Sequence, residues 1–286
     1  MANLKEIRNR ISSVTSTMKI TSAIKMVSAA KLKKAQDAIT AMKPYSEKLN
    51  ELMSSFSGVI SSSTISYLST LRPVKNVLVV AIASNRGFCG AFNSNIVKQA
   101  KALKSQDKFS NAQFNYVVIG KKAKDVLSKS ENVTQNNNEI FDDLSYENSS
   151  QIVDQIINDF SEEKYDHVQL IYNSFKNAAN QIVKSEQFLP IVNDSETEAF
   201  QNYIFEPSME QIVSVLVPKS LKIQLFKALR DSFASEHGAR MTAMHKATDN
   251  ATELKEELVL TYNKARQAAI TNEILEIVSG AEALKG

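Results

Sequence analysis

Residues 4–56 carry the row Leu4, Ile7, Ile11, Val14, Met18, Thr21, Lys25, Ser28, Leu32, Ala35, Ile39, Met42, Ser46, Leu49, Met53, Phe56, which advances by alternate steps of three and four. Twelve of its sixteen members are apolar. Apolar residues at this spacing line one side of an α-helix, and a sustained heptad makes that side a coiled-coil seam with left-handed supercoil. No glycine precedes Gly58, and Pro44 either kinks the helix or starts a second one. A continuous helix over this stretch reaches about 85 Å. The row weakens at Thr21, Lys25 and Ser28, where apolar character moves to Ile20, Ile24 and Val27. Something other than a single helical partner is therefore expected to face that stretch.

A second seam is expected at the other end. Residues 239–279 lack Gly and Pro, and Met244, Ala247, Ala251, Leu254, Leu258, Thr261, Ala265, Ala268, Asn272 and Leu275 repeat at the same spacing. Their small side chains permit close helix approach. Two seams at opposite ends of one chain pair most simply with each other, antiparallel.

Between them the texture changes. The β-branched run 74–84 ends in Ser84-Asn85-Arg86-Gly87-Phe88-Cys89-Gly90 and leads into a helical 94–104. Strand 114–120 precedes helix 121–130, and helix 147–163 precedes strand 167–175. Strands alternating with helices indicate a parallel sheet with crossover helices, and 182–189 adds an expected edge strand. The polar stretches 132–139 and 193–198 read as loops. The fold class is thus α plus α/β: a long antiparallel coiled coil of N- and C-terminal helices with an inserted Rossmann-like α/β domain. The expected divisions are 1–57, 74–200 and 208–286.

Composition narrows the function. Hydrophobic residues make up 43% and charged residues 23%, with only 7 Gly and 5 Pro, so long uninterrupted elements should dominate. Apolar runs such as 77–83 fall far short of the roughly 20 residues that cross a bilayer. The N-terminus shows neither an apolar signal core nor an Arg/Ser-rich presequence, so the chain is expected to stay in its compartment of synthesis. The lone Cys89 excludes an intrachain disulfide and reads as a small packed residue. Residues 1–43 hold nine Lys and Arg against Glu6 and Asp37. Such a basic helix suits nucleic acid, anionic lipid, an acidic protein surface or plain solvation, and composition does not choose among them.

Chemistry is hard to assemble. The turn 86–90 occupies the place of a phosphate cradle, but its glycines have neither dinucleotide-fold nor P-loop spacing, so it reads as a structural turn. His167, His237 and His245 lack companions at metal spacing and read as surface or capping residues. No nucleophile, base or carboxylate pair stands out, and no cofactor is expected. The basic residues Arg8, Arg10, Lys19, Lys25, Lys31, Lys33 and Lys34 lack the fold context of a DNA reader.

Three segments resemble the gamma subunit of F-type ATP synthases. They are 7–11 with 19–32, then 84–92, then 239–251 with 262–281, the last carrying Tyr262-Asn263-Lys264-Ala265-Arg266-Gln267-Ala268 and Thr271-Asn272-Glu273-Ile274-Leu275-Glu276-Ile277-Val278-Ser279-Gly280. The resemblance implies a noncatalytic rotor shaft that couples ion flow to ATP synthesis or hydrolysis. Its terminal helices would pair inside a ring of alternating alpha and beta subunits, and its α/β domain would sit on the membrane c-ring beside epsilon. It implies contacts of Arg240, Gln267, Thr271 and Glu273 with a beta-subunit loop. The basic face Arg8, Arg10, Lys19, Lys25, Lys31 and Lys33 would meet acidic beta-subunit segments. It further implies no nucleic-acid partner, no membrane insertion, and a peripheral place on the cytoplasmic face of a bacterial inner membrane. Asn85, Phe88 and Ile24 depart from the usual family residues Asp, Leu and Met. The cysteine pair of chloroplast relatives is missing, so thiol regulation of that type is not expected.

Overall fold

The computed structural model describes residues 4–55, 65–191, 206 and 208–283. Phe56, Gly58, Pro207 and the stretch 193–198 lie outside them. The chain divides into two compact units, one of residues 1–28 with 241–286 and the other of residues 29–240. Two long helices contribute to both: α1 (Leu4–Ser55) and α5 (Met209–Ala283). Pro44 lies inside α1, which continues through it as one helix.

The larger unit is built on a five-stranded sheet in the order β3-β2-β1-β4-β5. Its strands are β1 (Asn76–Ile82), β2 (Gln113–Ile119), β3 (Asn132–Asn136), β4 (His167–Phe175) and β5 (Gln181–Leu189). The first four run parallel, with Val80 opposite Val117 and Val79 opposite Gln169, and β5 returns antiparallel along β4. The expected edge strand is therefore present. The stretch 132–139, read as a loop, instead holds β3 and the start of a 3-10 turn at Asn138–Phe141. Its polarity is that of a short sheet edge facing water, which sequence alone does not separate from a loop.

Helices α2 (Phe92–Ala102), α3 (Lys121–Leu127) and α4 (Tyr146–Ser161) make the crossovers. Side chains of β1 alternate between faces. Leu78, Val80 and Ile82 point into one core with Ile156, Phe160 and the first half of α5. Val77, Val79, Ala81 and Ala83 point into the other with Ile96, Ala100 and Leu127. Within α5, Val213, Val217, Leu221, Leu225 and Leu229 recur every four residues and are at most 3% exposed. That stretch is thus a fourth helix packed on the sheet rather than seam.

In the smaller unit α1 and α5 pair antiparallel. The Thr21 hydroxyl meets that of Thr248 at 2.9 Å, and Thr252 Oγ1 donates to Met18 Sδ at 3.5 Å. The α1 seam does not fail where its apolar pattern does. Thr21 and Ser28 are buried, whereas Ile20, Met26 and Val27 are more than half exposed. The α5 seam departs from the expected register. Leu254 and Leu275 are exposed, as are Thr261, Ala268 and Asn272, and the less exposed row runs Ala251, Lys255, Leu258, Tyr262, Ala265, Ala269. Lys255 and Tyr262 can cover apolar surface with their stems while their polar tips reach water, so they do not read as seam residues in a hydropathy pattern.

The switch-point turn and the exposed helix surfaces

In a sheet of this order the crossover from β1 to β2 and the crossover from β3 to β4 cover opposite faces, so the turn after β1 lies at the topological switch point, where such folds commonly bind ligands. Here the turn is knitted to its neighbours. Ser84 N donates to Asn93 Oδ1 at 3.0 Å, and the Ser84 hydroxyl donates to Arg86 O at 2.7 Å. Asn85 Oδ1 accepts from Lys121 N at 3.0 Å while its Nδ2 donates to Asn138 O at 2.8 Å, so one amide joins the ends of three strands. An aspartate in its place could make only the first of these bonds, because a carboxylate does not donate.

The crevice is filled by the chain itself. Arg240 on α5 is 7% exposed; its Nε donates to Gly87 O at 3.1 Å and its Nη2 to Arg86 O at 3.0 Å. Nη2 also meets Glu236 Oε1 at 2.7 Å, one helical turn back. The turn therefore presents carbonyl oxygens to a guanidinium, whereas a phosphate cradle requires N–H donors. Burial pushes the Glu236 carboxyl up, and Arg240, Lys31 and Arg86 pull it back toward the charged form.

His237 lies 5% exposed beside this pair, its ring edge-to-face with Phe233 at 4.5 Å. Burial first, then the positive charges of Arg240 and Lys31, push its pKa down to about 3, so it is neutral at physiological pH. His167 is also buried, with Nε2 at 2.8 Å from Gln169 Oε1, and only His245 is a surface residue, paired with Asp249. The reading of all three histidines as surface or capping residues is thereby corrected for two. Each packs against an aromatic ring, His167 on Phe109 at 4.9 Å and His237 on Phe233, so the flat imidazole is buried as an aromatic side chain would be. Cys89 packs against Phe92 and Ala239 as a buried thiol, its pKa raised by burial.

Of the four residues expected to act together, Gln267, Thr271 and Glu273 lie on the exposed end of α5, with the Thr271 hydroxyl donating to Gln267 O at 2.9 Å. Arg240 belongs to the other unit, 27 residues earlier in the helix, and is buried. Along α1, Arg8, Arg10, Lys19, Lys31 and Lys33 are exposed and Lys25 half-buried, with Arg10 paired to Glu6 at 3.1 Å. Beside Lys19 a shallow groove of ≈ 630 Å³ is lined by Met18, Ala23, Met26 and Val27. The whole of 270–283 is exposed, including Ile270, Ile274, Leu275, Ile277 and Val278. The sequence reading missed Glu236, whose signal is an acid placed four residues before Arg240 among small residues.

The family model described as ATP synthase matches residues 3–284. The gamma chains of ATP synthase from Flavobacterium johnsoniae and Christiangramia forsetii are 63% and 61% identical, each across 100% of both chains. This chain belongs to the ATP synthase gamma-chain family. A chain in the Tetrahymena thermophila mitochondrial ATP synthase central stalk and c-ring is 26% identical, covering 80% of this chain and 99% of that one, with a TM-score of 0.58. A chain of the Euglena gracilis mitochondrial ATP synthase, 21% identical, covers 98% of this chain and 94% of that one with a TM-score of 0.71, which bears on the fold. As an ATP synthase gamma chain it is the noncatalytic central-stalk, or rotor, subunit of the F-type enzyme, and its paired helices form the shaft. The complex is membrane-associated, and among the described residues no helix of this subunit is long and apolar enough to cross a membrane.

Proposed function

We propose that residues 1–57 and 208–286 work as the shaft around the α/β domain 74–200, turning within a hexamer of alpha and beta subunits. Gln267, Thr271 and Glu273 contact a beta-subunit loop, and the α1 face of Arg8, Arg10, Lys19, Lys25, Lys31 and Lys33 passes acidic beta segments. Arg240 enters through the turn it holds. The α/β domain rests on the c-ring beside epsilon, at the cytoplasmic face of a bacterial inner membrane. An asymmetric shaft makes different contacts with each surrounding site at each angle, and that difference in contact energy biases the sites.

The observation that carries this reading is the exposed apolar surface of the smaller unit. Ile20, Met26 and Val27 on α1 and Ile270, Ile274 and Ile277 on α5 are each close to half exposed or more. Apolar surface of that extent marks a protein contact, and its distribution over both helices favours a partner that encloses them. The test is ATP hydrolysis by purified alpha and beta subunits with and without this chain. Stimulated turnover from an assembly holding one copy per hexamer supports the reading. No assembly with well-folded partners overturns it.

A further inference from the structure

We propose that Arg240 is a positioning residue, which fastens the turn after β1 to the C-terminal helix so that the two act as one piece and hold Phe88 outward. The proposal departs from a direct contact of Arg240 with a neighbouring subunit. Its evidence lies within the larger unit.

Phe88 has φ 61°, in the left-handed region that a bulky residue avoids, and its side chain is 74% exposed. Neither its own burial nor its own conformational preference explains that arrangement, so the surroundings must impose it. The two carbonyls preceding Phe88 are those of Arg86 and Gly87, and Arg240 binds both through separate nitrogens. A guanidinium is planar and presents its donors in a fixed fork, so it fixes the directions of two carbonyls at once. Glu236 aims the fork from one turn away, at 2.7 Å. Ser84 supplies the second bond to Arg86 O. Immediately after Phe88, Cys89 is 2% exposed beneath the turn, packed on Ala239 next to Arg240. The arrangement commits the guanidinium inward and leaves the aromatic ring outward. Strain of this kind, held by a buried charged fork, fits a fixed contact point for a partner.

Cys89, the only cysteine of the chain, reports on the latch. The measurement is the rate at which N-ethylmaleimide modifies Cys89 in the folded full-length chain, relative to the urea-unfolded chain. Arg240→Lys keeps the charge beside Glu236 but loses the fork, and is expected to raise the folded-state rate at least tenfold with helix content retained. Glu236→Gln keeps the fork and loosens its aim, and is expected to raise the rate less; it carries the test alone if Arg240→Lys does not give folded protein. In the assembled ATPase, Phe88→Ala and Arg240→Lys are expected to lower turnover together and non-additively. A Cys89 rate unchanged in the folded variants overturns the proposal, and so does a loss of turnover in Arg240→Lys that Phe88→Ala does not share. The thiol rate is read on the chain alone, so it fails or succeeds separately from the placement of the shaft in an alpha/beta hexamer.

Discussion

The hydroxyls of Thr21 and Thr248 lie 2.9 Å apart, at a point where α1 leaves Ile20, Met26 and Val27 more than half exposed. Each threonine is also within reach of a backbone carbonyl of its own helix, Thr21 at Met18 O and Thr248 at Met244 O. One hydroxyl can therefore donate back to its helix while the other donates across. Thr21→Val or Thr248→Val alone leaves a half-satisfied polar group in the seam and is expected to cost about 1 kcal/mol. The double substitution is expected to recover most of that loss, because two methyl-bearing side chains of the same shape then meet. A double-mutant cycle on urea midpoints checks this, and additive losses would show that the two hydroxyls do not interact.

The sheet carries a sharper steric demand at Gly120, which has φ 114°. A Cβ at this position would lie 2.4 Å from Ala83 O and 2.6 Å from Ala83 C, both backbone atoms of the neighbouring chain segment. Gly120→Ala is expected to destabilise by about 3 kcal/mol or more, since neither the strand nor its turn can yield locally. Gly90, at φ 60° with open space around a would-be Cβ, is expected to lose only about 1 kcal/mol as alanine. Thermal midpoints should separate the two, and equal shifts would remove the steric argument.

The elements that repeat were legible in the sequence, and the junctions between them were not. Heptad spacing located α1, and the β-branched runs located β1, β2 and β4, because each buries a periodic set of side chains. Ser28 read as a gap in the seam, yet it is 2% exposed. Hydropathy scores a residue's own preference, whereas seam position is set by helix geometry, which carries small polar residues inward with their neighbours. The same blindness shifted the α5 seam onto Leu254 and Leu275 instead of Lys255 and Tyr262. Arg240 could be singled out only by resemblance, since two of its partners, Glu236 and His237, lie within one turn before it and the other two, Arg86 and Gly87, more than 150 positions before it. No local pattern encodes that meeting.

Burial of His237 makes stability depend on pH. An unfolded histidine binds a proton near pH 6.5, whereas His237 in the fold does so at about 3. Between these values the unfolded chain holds the extra proton, so the contribution is fully present above about pH 6.5 and is lost as pH falls toward 3. From pH 7 to pH 5 a single such group is expected to remove about 2 kcal/mol. His167, whose pKa burial also lowers, acts with the same sign. Glu236, raised by burial, acts with the opposite sign, over the acidic range around and above the ordinary glutamate value. His237→Gln should therefore flatten the fall in urea midpoint between pH 7 and pH 5 without abolishing it. An identical fall in the variant and the parent would mean that His237 is protonated in the fold.

Gln267 and Glu273 stand on the exposed end of α5, so any effect of changing them must be read in the assembled enzyme. Surface substitutions clear of caps and buried networks usually change stability by no more than about 0.5 kcal/mol. Gln267→Leu and Glu273→Ala are accordingly expected to leave the thermal midpoint of the isolated chain nearly unchanged. If these side chains bond to a beta-subunit loop in only part of the rotary cycle, their loss removes interaction selectively from some states. Turnover then falls while assembly persists, because uniform binding along the rest of the shaft is untouched. The expected result is at least a severalfold drop in steady-state ATP hydrolysis with unaltered subunit stoichiometry. Unchanged turnover in both variants would place the coupling contacts elsewhere on the exposed surface of the smaller unit, with the apolar row Ile270, Ile274 and Ile277 next in line for the same substitutions.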